Sequence, residues 1–252
     1  LVVPKVENKH VLERMKDELP QSANGKTIMT TQPKFVPNEA VSVSIADDVD
    51  VKVRLVDCVG YMVDGANGHM DGEKPRMVKT PWSEEEISFV DAADIGTRKV
   101  ISDHSTIGVV MTTDGSIATE LPRAAYVAAE ERAINELKEL GKPFIIVLNS
   151  TVPKSKETVK LALQLEEKYA TPVMLDVLNL TADDITQMFE RVLMEFPLMD
   201  IEVKISKWLQ ALPLEDGIIR SLVDNLLASS ETMKRMADYK QPEALFEDSD
   251  SF

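Results

Sequence analysis

Apolar positions recur at two spacings along the chain. Val41, Val43 and Ile45 alternate with Ser42 and Ser44. After a break at Ala46-Asp47-Asp48, Val51, Val53 and Leu55 alternate with Lys52 and Arg54, and Val56 joins them. This period of two predicts a β-hairpin whose second strand stops at Asp57-Cys58-Val59-Gly60. Residues 1–20 are polar and weakly helical. Residues 21–39 and the stretch from Asp64 to Pro81, with Gly65, Gly68, Gly72 and Pro75, read as long loops. Beyond them the chain alternates. Helices are expected around Glu84–Ser102, over 124–140, at Lys156–Tyr169 and from Thr181 to Pro197. Short buried strands are expected at Ile107–Met111, Phe144–Leu148 and Val173–Leu178. In the second helix Tyr126, Ala129, Ala133, Leu137 and Leu140 fall on one stripe, and Gly141 and Pro143 stop it. Thr181 and Asp184 have the spacing of an N-terminal cap.

Strands alternating with helices of this length predict an α/β fold, a mostly parallel sheet with helices on both faces and one antiparallel hairpin strand. After Asp200 the pattern changes. Ile201, Val203 and Ile205 alternate as a strand, a long helix runs from about Glu215 to Tyr239, and the last dozen residues are acidic. The reading is one nucleotide domain over 1–199 and the start of a second domain over 200–252.

Composition narrows the chemistry. Of 252 residues, 43 are acidic and 28 basic, a net charge of −15, so nucleic acid is not an expected partner. The one cysteine, Cys58, excludes an internal disulfide and fits a reducing compartment. It adjoins Asp57, whose charge disfavours a thiolate nucleophile. The three histidines are scattered, away from any metal-ligand spacing. No run of 18 apolar residues exists, so no transmembrane segment is expected. The chain opens at Leu1 rather than Met and shows no apolar leader, which reads as a processed or cut chain.

Three features point to nucleotide chemistry. Asp57-x-x-Gly60 closes a strand. A carboxylate there holds Mg²⁺ in P-loop nucleotidases, and a glycine three residues on lets a backbone N–H approach the γ-phosphate with no Cβ in the way. Thr30-Thr31 stands in the loop before the hairpin, where a threonine hydroxyl can reach Mg²⁺ and its N–H the γ-phosphate. Threonine, antiparallel strand and Asp-x-x-Gly follow one another in the order of the translation-factor-like GTPases. Asn149-Ser150 ends the Phe144–Leu148 strand, but Thr151-Val152 follows where a guanine-reading carboxylate is needed, so adenine is the better base. Gly25-Lys26-Thr27 resembles the end of a phosphate-binding loop, yet Pro20 occupies the position of its first glycine and Pro33 follows where a helix should start.

The segments ELPQSANGKTIMTTQPKFVPN (18–38), RLVDCVGY (54–61), IGTRKVISDHSTIGVVMTTDG (95–115) and GKPFIIVLNS (141–150) resemble the stage IV sporulation protein A family, morphogenetic ATPases of the spore coat. The resemblance covers nearly the whole chain. It implies a P-loop domain of the translation-factor-like class that binds and hydrolyses ATP with Mg²⁺. The family polymerises on the forespore surface in the mother-cell cytoplasm, as the basement layer of the coat, with a small amphipathic membrane-anchoring peptide and other coat proteins as partners. It also implies that Asp57 and Thr31 bind the metal, that Thr30 and Thr31 sense the γ-phosphate, and that Gly60, Asn149 and Ser150 line the nucleotide. The family's P-loop has no counterpart in these 252 residues, so the fragment itself is expected to bind nucleotide poorly. Two other readings stand beside this one: a GTP-binding regulatory switch, and a scaffold in which the nucleotide fold is only structural.

Overall fold

The computed structural model describes residues 34–46, 49–80, 82–117, 120–170, 172–213 and 215–239. The chain divides into two compact units, Leu1–Glu190 and Arg191–Phe252. Residues 1–20, Gly25-Lys26-Thr27, Thr30, Thr31 and the acidic tail lie outside the described residues.

The predicted hairpin is present and longer than expected. β1 (Lys34–Ala46) pairs antiparallel with β2 (Val49–Asp57), from Lys34 opposite Asp57 to Ala46 opposite Val49. Residues 34–39, expected in a loop, belong to β1. The register shifts between Val36 and Val41, a stretch containing Pro37, which has no N–H to give to a ladder.

The expected polar loop after the hairpin is instead built from short ladders. β3 (Met70–Asp71) pairs with β4 (Lys74–Pro75), and β5 (Met77–Thr80) pairs with β6 (Ser83–Ser88). β6 overturns the expected helix start at Glu84. The Ser88 hydroxyl accepts the Asp91 N–H at 3.1 Å, so the helix begins behind this cap, as α1 (Phe89–Lys99). A π-helical turn over Val100–His104 continues it.

The central sheet is parallel, in the order β7 (Gly108–Thr113), β8 (Phe144–Asn149), β9 (Val173–Leu175). α2 (Val127–Glu139) connects β7 to β8, and α3 (Lys156–Lys168) connects β8 to β9. Ile145, Ile146, Val147 and Leu148 of β8 are at most 2% exposed, so both faces of the central strand are covered, as a parallel sheet requires. Ile134 and Leu137 of α2 pack with Val110 and Ile146, while Ala162 and Leu165 of α3 pack with Leu148. Gly108 opens β7 where a Cβ would lie 2.7 Å from the Leu137 side chain. Leu140, expected on the buried stripe of α2, is 48% exposed, because the helix has already ended at Glu139.

The sheet differs from the expected one in one respect. Among the described residues the β1–β2 hairpin forms its own two-stranded sheet and is not hydrogen-bonded to β7. β9 is also shorter than predicted; a 3₁₀ turn over Val177–Asn179 replaces its end, with Asp176 accepting the Leu178 N–H.

α4 (Ala182–Met194) has the predicted cap. Thr181 Oγ1 accepts the Asp184 N–H at 3.2 Å, and Asp184 Oδ2 accepts the Thr181 N–H at 2.9 Å. In the second unit, Pro197 bridges Arg235, and Arg235 reaches Glu195 at 2.8 Å. Ile201, Val203 and Ile205 were expected in a strand, but the segment has no ladder partner among the described residues and is not one. A single turn, α5 (Lys207–Gln210), precedes α6 (Gly217–Thr232), which Asp216 caps and which ends seven residues before the predicted Tyr239.

Candidate functional site

β2 carries the chain to Asp57, whose side chain is exposed. The strand stops there, and three residues on Gly60 takes φ +79°, a left-handed conformation that a Cβ would strain. Among the described residues, its chain neighbours aside, no atom lies within 4 Å of where that Cβ would stand. The strand ends at Asp57, where the sequence places its end. Burial pushes the Cys58 thiol up; a backbone hydrogen bond at Gly60 works against this, and the Asp57 charge adds to it. Cys58 is accordingly no thiolate at neutral pH.

The turn lies on a cleft of about 620 Å³. One wall is Leu55–Tyr61; the other is Gly108–Thr112 of β7, with α1 and α2 behind. Among the described residues, β2 has a ladder only with β1, and β7 only with β8, so the cleft separates two strand edges.

A buried charged group lies in the cleft lining. Glu130 of α2 is 5% exposed, and its carboxylate accepts from Thr112 Oγ1 at 2.5 Å and from Arg123 Nη2 at 2.7 Å. Arg123 Nη1 also donates to Thr112 Oγ1 at 3.1 Å. Pattern reading passed over this pair. The one available signal was a glutamate at a position flanking the apolar stripe of α2, between Ala129 and Ala133.

Asn149 is the last residue of β8, opposite Thr113 of β7, and Ser150 follows it. Asn149 Oδ1 accepts the Val177 N–H at 3.1 Å, tying this loop to the one after β9. Ser150 is fully buried and accepts the Val152 N–H at 3.0 Å. Ser116 Oγ accepts the Thr151 N–H at 3.0 Å and donates to Asp114 Oδ1 at 2.6 Å, while Thr158 Oγ1 donates to Asp114 Oδ2 at 2.7 Å. Burial raises the Asp114 carboxyl, but hydrogen bonds from Ser116, Ser150 and Thr158 outweigh it and hold the group below the usual carboxylate range. The 149–152 loop is thus fixed from beneath by Asp114, Ser116 and Thr158, none of which the sequence reading had singled out. No carboxylate stands in the loop itself.

The structure brings Asp57 and Gly60 to one cleft with the end of β7, and sets Asn149-Ser150 on the neighbouring strand. Thr30 and Thr31 lie outside the described residues. Among those residues no helix is long and apolar enough to cross a membrane.

The parallel β7-β8-β9 sheet with α2 and α3 packed on it defines an α/β domain. Residues 1–197 match the ATPase domain of stage IV sporulation protein A, and the chain belongs to that family. It is 49% identical over 239 residues to stage IV sporulation protein A of Clostridioides difficile (strain 630). The identity is 47% to that of Bacillus anthracis and 48% to that of Bacillus subtilis (strain 168). Each alignment covers 94% of this chain and 48% of the relative, so the chain spans about half the length of these relatives. No solved structure matches it.

Proposed function

We propose that this chain supplies most of an ATP-hydrolysing domain of the translation-factor-like class to a sporulation protein. In this reading the whole protein polymerises on the forespore surface, in the mother-cell cytoplasm, as the basement layer of the spore coat. A small amphipathic anchoring peptide and other coat proteins are its partners. Family membership supports the setting, and the Asp57–Gly60 turn on the edge of the cleft is the observation that carries the chemistry.

The residues fit the group they would hold. Asp57 offers a hard, exposed oxygen suited to Mg²⁺, with Thr31 as the second ligand in this reading. Bound Mg²⁺ would neutralise charge building on the phosphates. The left-handed Gly60 presents bare backbone where a side chain would otherwise stand, which suits the approach of a γ-phosphate oxygen, and Thr30 and Thr31 are in this reading the residues that sense the same group. Asn149 and the buried Ser150 shape the base end, where the lack of a carboxylate disfavours guanine. In this reading the phosphate cradle is not among these 252 residues. Residues 1–252 alone should then bind nucleotide poorly.

Phosphate release from Mg²⁺–ATP and Mg²⁺–GTP, measured on a polypeptide that includes this chain and the upstream cradle, tests the reading. ATP should be hydrolysed and excess GTP should fail to displace it. Effective displacement by GTP would favour the regulatory switch, and polymer formed without nucleotide would favour a structural scaffold.

A further inference from the structure

The residue after Gly60 is not free to follow it. Tyr61 is 7% exposed and packs among Ile101, Val110, Ile134, Leu137 and Ile146. Its hydroxyl donates to Glu136 Oε2 of α2, 75 residues away in the chain. The Arg132 guanidinium lies over its ring, 4.0 Å from the centroid. Arg132 is held in turn by Asp94 of α1 at 2.6 Å and by Glu136 at 3.8 Å. A purely packed aromatic ring needs none of these polar partners. Burial, the hydrogen bond to Glu136 and the Glu136 charge all push the Tyr61 hydroxyl up, so it remains a donor at any physiological pH.

A left-handed glycine has more accessible conformations than any other residue, so a turn built on one holds its shape only if its neighbours are anchored. Tyr61 is the adjacent anchor, and it ties the turn to α1 and α2 together. We propose that Tyr61, clamped by Arg132 and Glu136, is a positioning residue for hydrolysis that fixes the backbone at Gly60 against the phosphate site. The proposal rests on the nucleotide reading above.

Tyr61→Phe keeps the ring and removes only the hydroxyl, so the fold should survive. In the ATP-hydrolysing polypeptide, kcat should fall about fivefold, the loss of one ordinary hydrogen bond, with KM for ATP within about twofold. Glu136→Leu should match it, the double variant should be no slower than either, and Glu136→Gln, which keeps an acceptor, should recover most of the loss. Hydrogen exchange at the amides of residues 59–62, measured on the 252-residue chain without nucleotide, should be faster in Tyr61→Phe than in the parent. A rise in KM with kcat unchanged, a fully additive double variant, or unaltered exchange would overturn the proposal. If the parent releases no phosphate while exchange still responds to Tyr61→Phe, the nucleotide reading falls and the latch has no catalytic use. If the parent hydrolyses ATP and exchange does not respond, the latch falls and the nucleotide reading stands.

Discussion

Replacing Arg123 by Met separates two descriptions of the cleft's charged lining. In the first, Arg123 neutralises a carboxylate that could not otherwise be buried; in the second, it is an incidental surface partner. The Glu130 side chain is 3% exposed and that of Arg123 21%, so the carboxylate is taken out of water and the guanidinium keeps a partial hold on it. Removing one partner of such a pair leaves an uncompensated buried charge, at a cost of about 3–5 kcal/mol. The Thr112 hydroxyl remains as a donor, which favours the lower end, near ~3 kcal/mol. Removing both charges, as Arg123→Met with Glu130→Met, should cost only about 1 kcal/mol, the price of leaving the Thr112 hydroxyl without its acceptor. Urea unfolding at neutral pH measures both. Trp82 and Trp208 are the two tryptophans, and a Trp208→Phe background leaves Trp82 to report on the first unit. At a slope near ~2 kcal/mol/M the single variant should lower the midpoint by about 1.5 M, and the double should recover most of it. A single variant within ~1 kcal/mol of the parent, or a double variant less stable than the single, would refute the reasoning.

Asp114 should make stability acid-sensitive in a defined direction. Its folded-state carboxyl lies below the usual range, so the stabilisation is present above the unfolded value near ~4 and is lost as pH falls through the folded one. Thr158→Val, which deletes one donor to Asp114, should cost about 1 kcal/mol at pH 7, and the gap from the parent should narrow below about pH 4 in pH-dependent urea titrations. Gly60→Ala should cost about 1–2 kcal/mol for the left-handed backbone, with no steric addition from the described residues, since beyond its chain neighbours a Cβ there meets none of them within 4 Å. Hydrolysis by the same variant should fall much further than that loss of stability explains, as thermal unfolding and phosphate release measured side by side would show.

Elements stabilised by their own sequence were legible in it. α2 follows from its apolar stripe, β8 from five consecutive apolar residues, and the start of α4 from Thr181 and Asp184. The hairpin's alternation located both strands, although Pro37 disguised the beginning of β1 as a loop. Elements that depend on a distant partner were missed. β6 carries Glu84-Glu85-Glu86, which look helical until β5 pairs with the residues on either side of them, Ser83, Ile87 and Ser88. Ile201, Val203 and Ile205 alternate like a strand, but alternation supplies no ladder partner. The site divides in the same way. Asp57 and Gly60 were visible because the turn is local. The supports behind it were not, since Tyr61 finds Glu136, Asp114 finds Thr158, and Thr112 finds Glu130 across 18 to 75 residues.

The central claim is that hydrolysis is organised around the Asp57–Gly60 turn. The most direct measurement is Mg²⁺-dependent phosphate release from ATP by the longer polypeptide, before and after Asp57→Ala. Asp57 is exposed, so the variant should remain folded in thermal unfolding while turnover falls by about two orders of magnitude or more, roughly the effect of losing a group that positions transition-state charge. Turnover equal to that of the parent, in a variant that remains folded, would contradict the account.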